Sequence, residues 1–244
     1  MNIAKCRYWA APIACLLMLN ACQTAHMAVP GFLEERSDVL HCVGRQGFVR
    51  GEQFTFGDYE VERVRRGWVR RVSWDMALAE GHAARQEYEY QVRTPEGVIW
   101  QGHAVTGVRK EDIRGTAGRR GEWVWDLTSE VNYVVRFADE AQEHFWTLAM
   151  AEGLGDTVMN GELSDGETVY RVEGTYQLAG SPMPLSSPSG FIVYDKHRAV
   201  AAVEVINEGA VYLDRDLPVA QRDVLAVAAT AILLYKDISD HRMR

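Results

Sequence analysis

Cysteine is scarce in this 244-residue chain: Cys6, Cys15, Cys22 and Cys42 are the only four, and no two form a CxxC pair. A zinc ribbon and a disulfide framework are both excluded, so the fold must hold by packing. Positive charge is in deficit as well, with Lys+Arg 26 against Asp+Glu 34 and a formal charge of -8. That balance excludes the net basic footprint that nucleic-acid phosphates demand. No apolar run approaches the roughly 20 residues that cross a bilayer as a helix. Missing too are HExxH and paired Cys/His spacings for a metal, GxSxG, a Walker-type loop and a dinucleotide fingerprint. The expectation is no metal, no cofactor, no catalytic constellation and a role that is not enzymatic. With 47% hydrophobic, 10% aromatic and 25% charged residues, the chain still has the composition of a globular protein.

What is present is most specific at the N-terminus. Lys5 and Arg7 precede a mostly apolar stretch from Tyr8 to Leu19, broken by Pro12 and too short for a span, and Ala21 stands directly before Cys22. This order reads as a secretory signal peptide over residues 1–21. The tetrad Leu19-Asn20-Ala21-Cys22 resembles the lipobox of bacterial lipoproteins. The resemblance implies cleavage before Cys22, followed by diacylglyceryl modification and N-acylation of that residue. Three acyl chains hold far more firmly than the marginal grip of one myristoyl group. Gln23 comes next, where in that family an aspartate marks retention in the inner membrane, so the implied address is the outer membrane, periplasmic face. Loss of Lys5 and Arg7 with the signal takes the charge from -8 to -10. Cys42 becomes the sole free thiol and is expected to be buried.

Residues 22–31 read as the lipidated cysteine and a short tether, and residues 32–244 as one β-rich domain. Period-two alternation marks the strands: Tyr88, Tyr90 and Val92 fall on one face, Glu87, Glu89, Gln91 and Arg93 on the other. Thr94-Pro95-Glu96-Gly97 is a turn, and Val98 to Val105 resumes. Gly51 to Trp74 fits two or three strands. Trp123 to Leu127, Val131 to Phe137, Phe145 to Met150, Thr168 to Glu173, Thr175 to Leu178, Phe191 to Tyr194, Val200 to Ile206 and Ala210 to Leu213 add further ones. About 12 antiparallel strands predict a mainly β barrel; a β-sandwich or a lipocalin-like barrel with an outer helix is the alternative.

The exception is a helix over about 218–236, with Asp216 as N-cap and Pro218 in its first turn. From Val224 to Tyr235 only Thr230 is polar. A helix apolar on every side is enclosed, and twelve residues span only about 18 Å, too little for a bilayer. The expectation is a barrel threaded by its own terminal helix. In this element order, and in Ala199 to Val205 followed by Gly209 to Leu213 and the helix, the chain resembles the tubby-like superfamily with its LURP-one-related and scramblase members. The resemblance implies a closed antiparallel barrel around a hydrophobic C-terminal helix; no functional motif transfers.

Among candidate sites, Arg63, Arg65, Arg66, Trp68, Arg70 and Arg71 crowd five arginines into nine residues of an acidic chain. Arginine grips phosphate bidentately, so this cluster is a candidate contact for phospholipid or lipopolysaccharide headgroups near the membrane, with local charge neutralisation as the plainer reading. Glu80, His82 and His103 could meet across strands as an acid–base pair. Adjacent His41 and Cys42 point to opposite strand faces, which argues against an activated thiol. The functional expectation is a lipid-anchored periplasmic lipoprotein with a binding or structural role, whose partner is an envelope protein or lipid. A carrier or sensor of a fatty acid or phospholipid, and an envelope enzyme, are the alternatives.

Overall fold

A computed structural model describes residues 24–46, 51–76, 79–116, 122–141, 145–152, 159–236 and 238. The signal, the lipobox and Cys22 lie outside the described residues. Helix α1 (Gly31–Arg36) leads into β1 (Ser37–Val43), β2 (Phe54–Phe56), β3 (Tyr59–Arg66), β4 (Arg70–Met76), β5 (Ala79–Arg93), β6 (Ile99–Thr116) and β7 (Glu122–Asp139). There follow β8 (Phe145–Glu152), β9 (Asn160–Ser164), β10 (Val169–Thr175), β11 (Gly190–Asp195), β12 (Arg198–Glu204), β13 (Ala210–Asp214) and α2 (Val219–Leu234). Apart from β3 and β4, strands that follow one another in the chain pair antiparallel, β1 pairs with β13, and β3 skips β4 to pair with β5. The result is a closed ring of 12 strands. Strand β4 lies outside it, against the first half of β5, Ala79 to Arg85.

Closure leaves no sheet edge in the ring, and the interior is filled by α2. All twelve residues from Asp223 to Leu234 are buried, and the inward residues of β5, β7 and β8, among them Tyr88, Tyr90, Tyr133, Val135 and Leu148, share one core with them. The expected alternation holds in β5: Tyr88, Tyr90 and Val92 are buried, while Glu87 and Glu89 are exposed. Alanines at 226, 228, 229 and 231 let the surrounding rings come close to the helix backbone.

Tyr90 shows how tight that fit is. Its hydroxyl donates to the Val227 carbonyl at 3.3 Å, and its ring reaches the helix across Gly102 of β6. A Cβ at Gly102 would overlap that ring and sit 2.6 Å from the hydroxyl. Gly102→Ala is therefore expected to cost about 2–4 kcal/mol, as overpacking of a fully buried site does. Tyr90→Leu should recover part of the loss, and denaturant titration of both single variants and the double variant checks it.

Several expectations change. Trp123 to Leu127 and Val131 to Phe137 belong to one 18-residue strand, β7, and Thr175 closes β10 without a further strand over 176–178. Pro218, not Asp216, is the N-cap, with no side chain capping it. Asp216 instead pairs with Arg36. The largest change concerns residues 24–31. Met27 is buried and bridges to Leu178, and with Leu33 of α1 it packs on Ile192, Ala199, Ala202, Ala210 and Tyr212. This second cluster lies on the outer side of β11, β12 and β13. Those strands are buried on both faces, which is why they read as continuous apolar runs rather than alternating ones.

Candidate functional site

The arginine cluster does not form one site. A β-bulge between Glu62 and Arg65 puts one extra residue into β3 opposite β5, and Arg63 takes up the irregularity at φ 53. Before the bulge Val61 points in and Glu62 out; strict alternation would then send Arg63 in and Arg66 out. The bulge resets the phase, so Arg63 and Arg65 are exposed on the wall, Val64 is buried, and Arg66 turns inward. Trp68, 80% exposed, lies in the link to β4, and Arg70 and Arg71 lie exposed on β4, outside the ring.

Arg66 is drawn inward by the end of α2. A helix leaves its last four carbonyls without intrahelical partners, carrying the negative end of the macrodipole. Here all four are satisfied. The Ala231 carbonyl lies 3.0 Å from the Tyr88 hydroxyl and 2.6 Å from that of Tyr133, and the two hydroxyls also contact each other. The Ile232 carbonyl accepts from Tyr235 N–H at 3.1 Å. Arg45 Nε donates to Leu233 at 3.1 Å, and Arg66 Nη2 to Leu234 at 2.7 Å. The Arg66 guanidinium also stacks 4.8 Å from the centre of the Tyr88 ring. Burial pushes both tyrosines far up, keeping them protonated donors. Arg66 therefore holds the fold rather than a headgroup.

Arg63 and Arg65 line a groove on the outer wall, with a volume of about 610 Å³. Beside them come Glu89 and Gln91 from β5, Gln101 and His103 from β6, Arg136 and Asp139 from β7, and Phe145 from β8. Arg63, Arg65 and Arg136 make no hydrogen bond or ion pair among the described residues. Arg65 stands opposite Glu89 in the ladder without bridging to it. Three uncommitted guanidinium groups beside a half-exposed Phe145 can take a carboxylate or phosphate on a partly apolar partner. Arg136 and Phe145 were missed in the sequence because they converge on Arg63 only when β3 bypasses β4. The outward positions Glu89, Gln91, Gln101 and His103 on an alternating hairpin were the available signal.

The other candidates separate. His82 stands opposite Lys110 and His103 opposite Glu89, so the two histidines lie seven ladder positions apart, about 23 Å, and make no acid–base pair. Glu80 has no described side chain. Cys42 is buried with its thiol pushed up to about 11 by desolvation, and His41 faces outward; an unreactive core thiol follows. At the other end of α2, Tyr59 donates to Asp223 Oδ1 at 2.9 Å. Burial raises the Asp223 carboxyl above the ordinary aspartate value, and the Tyr59 hydrogen bond opposes this. The folded state thus binds a proton at pH values where the unfolded chain has released it, so this residue's contribution falls as pH rises above about 4. Asp223→Asn keeps an acceptor for Tyr59 and is expected to stabilise by about 1 kcal/mol at pH 7. Urea titration should find that gain gone below about pH 4.

No protein-family model, curated protein or solved structure matches this chain.

Proposed function

We propose that this protein is a lipoprotein anchored through Cys22 to the periplasmic face of the outer membrane, where it binds an envelope partner and carries out no chemistry. The observation that carries the binding reading is the wall groove, where Arg63, Arg65 and Arg136 make no ion pair with the Glu89, Asp139 and Glu140 that share its lining, in a chain of net charge -8. The interior is taken up by α2, so a carried fatty acid or phospholipid would have to displace a helix whose residues 223–234 are all buried. This weakens the carrier alternative and moves function to the outer surface. The anchoring reading is supported by the order of charge, apolar run, small residue and cysteine over residues 5–22. The tubby-like likeness remains one of architecture, a closed antiparallel ring around a terminal helix, and brings no ligand with it.

Growth with an alkyne-tagged palmitate tests the anchor. The chain is expected to incorporate the tag and sediment with outer membranes, and Cys22→Ala to lose both properties. An untagged wild-type chain overturns the reading. Envelope crosslinking then tests the groove. A partner captured by the wild type should be lost with Arg63→Glu/Arg65→Glu/Arg136→Glu, while lipids co-extracted with the protein should show no defined species.

A further inference from the structure

The strap that follows Cys22 is fastened to the barrel almost at once. Asn207 Nδ2 donates to the Ala25 carbonyl at 2.8 Å, Ala179 N–H to His26 at 2.9 Å, and Ala28 N–H to Gln177 at 3.0 Å. Glu204, a buried carboxylate, accepts from Met27 N–H at 3.2 Å and lies 3.2 Å from His26 Nδ1. Met27 itself fills the space above Gly190. From Cys22 to Ala25 is a step of three residues, which at full extension reaches about 11 Å. One leaflet's headgroup layer is itself roughly 5–8 Å deep. A barrel anchored through such a short link cannot stand off from its membrane.

The surface brought down by the link has the composition that contact requires. The strap's partners Gln177, Leu178 and Ala179 begin the β10–β11 loop, and from Gly174 to Tyr194 there is no charged residue, in a chain that is 25% charged. Met183 in that loop is 73% exposed, between Pro182 and Pro184. An uncharged loop with an exposed thioether can enter the headgroup layer without the repulsion that an acidic chain meets at anionic lipid.

We propose that the β10–β11 loop around Met183 rests on the leaflet that holds the acyl chains of Cys22, which fixes the barrel's orientation on the membrane. This rests on the acylation proposed above. In a ring of 12 strands, β5 and β6 lie half-way round from β11 and β12. The arginine groove therefore opens away from the strap wall, toward partners in the periplasm rather than toward the anchoring lipids. The expectation that these arginines meet the headgroups of their own membrane is replaced by this arrangement.

The test uses the acylated full-length protein in phosphatidylethanolamine–phosphatidylglycerol vesicles containing headgroup-nitroxide lipid. A fluorophore is placed at Met183→Cys and, in a second protein, at Gln101→Cys on the groove wall; both positions are exposed, and Cys42 is buried from the reagent. Quenching at 183 is expected to exceed that at 101 by about three-fold or more, as for a side chain at headgroup depth. Equal quenching in protein whose mass shows the three acyl chains overturns the docking while leaving the anchor intact. Absence of acyl mass overturns the anchor and the docking with it.

Discussion

Aspartate introduced singly at Ala226, Val227, Ala228 and Ala229 is expected to abolish the folded state at every one of the four positions. Successive helical residues are turned by about 100°, so four in a row sample all sides of α2. Their exposures are 0%, 0%, 2% and 1%, and the arginines that reach α2, Arg45 and Arg66, bond to carbonyls of its last turn at Leu233 and Leu234. An unpaired buried charge costs several kcal/mol, against a total stability of about 5–15 kcal/mol for a domain. The sole polar side chain between Val224 and Leu234, Thr230, already returns its hydroxyl to the Ala226 carbonyl at 3.0 Å. A helix lying on an outer wall would have at least one tolerant side. Far-UV circular dichroism and gel filtration of each variant decide the matter. One variant of the four that is folded and monomeric, with a midpoint near the wild type's, would refute full enclosure.

How much of this was legible in the sequence depended on how many faces each strand buries. Strand β5 buries one face, so Tyr88, Tyr90 and Val92 alternate visibly with Glu87, Glu89 and Gln91. Strands β11 to β13 bury two. Ala199 to Val203 all pack, some toward α2 and some toward Met27 and Leu33, and the run reads only as apolar. The covering element could not be foreseen, because Gln23 to Gly31 has the small and polar character of a tether, and only Met27, held between Leu178 and Gly190, marks where it docks. The terminal helix was the clearest element, since a stretch apolar on every side and too short for a bilayer has one physical resting place. The arginines were the least legible. One bulge at Arg63 decides which of them faces the helix, and a bulge leaves little trace in a residue pattern. The groove needed ring closure as well: Arg63 and Arg136 meet through β3–β5 pairing past an intervening strand.

The second large effect is expected at Arg45, which joins three chain segments where α2 ends. Its Nε donates to the Leu233 carbonyl at 3.1 Å, and its Nη1 to the carbonyls of Val205 and Glu208 at 3.2 Å each. The helix end, the exit of β12 and the turn into β13 are thereby held by one guanidinium. Gly209 makes the space. It sits at φ +92, and a Cβ there would come within 2.9 Å of both Arg45 Nη1 and the Leu233 side chain. Arg45→Met keeps most of the stem but leaves three carbonyls without this donor. With each bond to a charged donor worth about 1.5–3 kcal/mol and only partial replacement by water, a loss of about 3–5 kcal/mol is expected. The melting midpoint should fall by roughly 10 °C. Arg45→Lys should recover less than half of this, because an ammonium cannot spread donors across the same three acceptors. Arg66→Met, which frees only the Leu234 carbonyl, should cost less. Because these acceptors are neutral carbonyls rather than surface carboxylates, raising the salt to about 1 M should leave the difference between wild type and Arg45→Met nearly unchanged. A difference that vanishes in salt would show that Arg45 acts through long-range charge, and the four-carbonyl account of how α2 is held in the ring would fail.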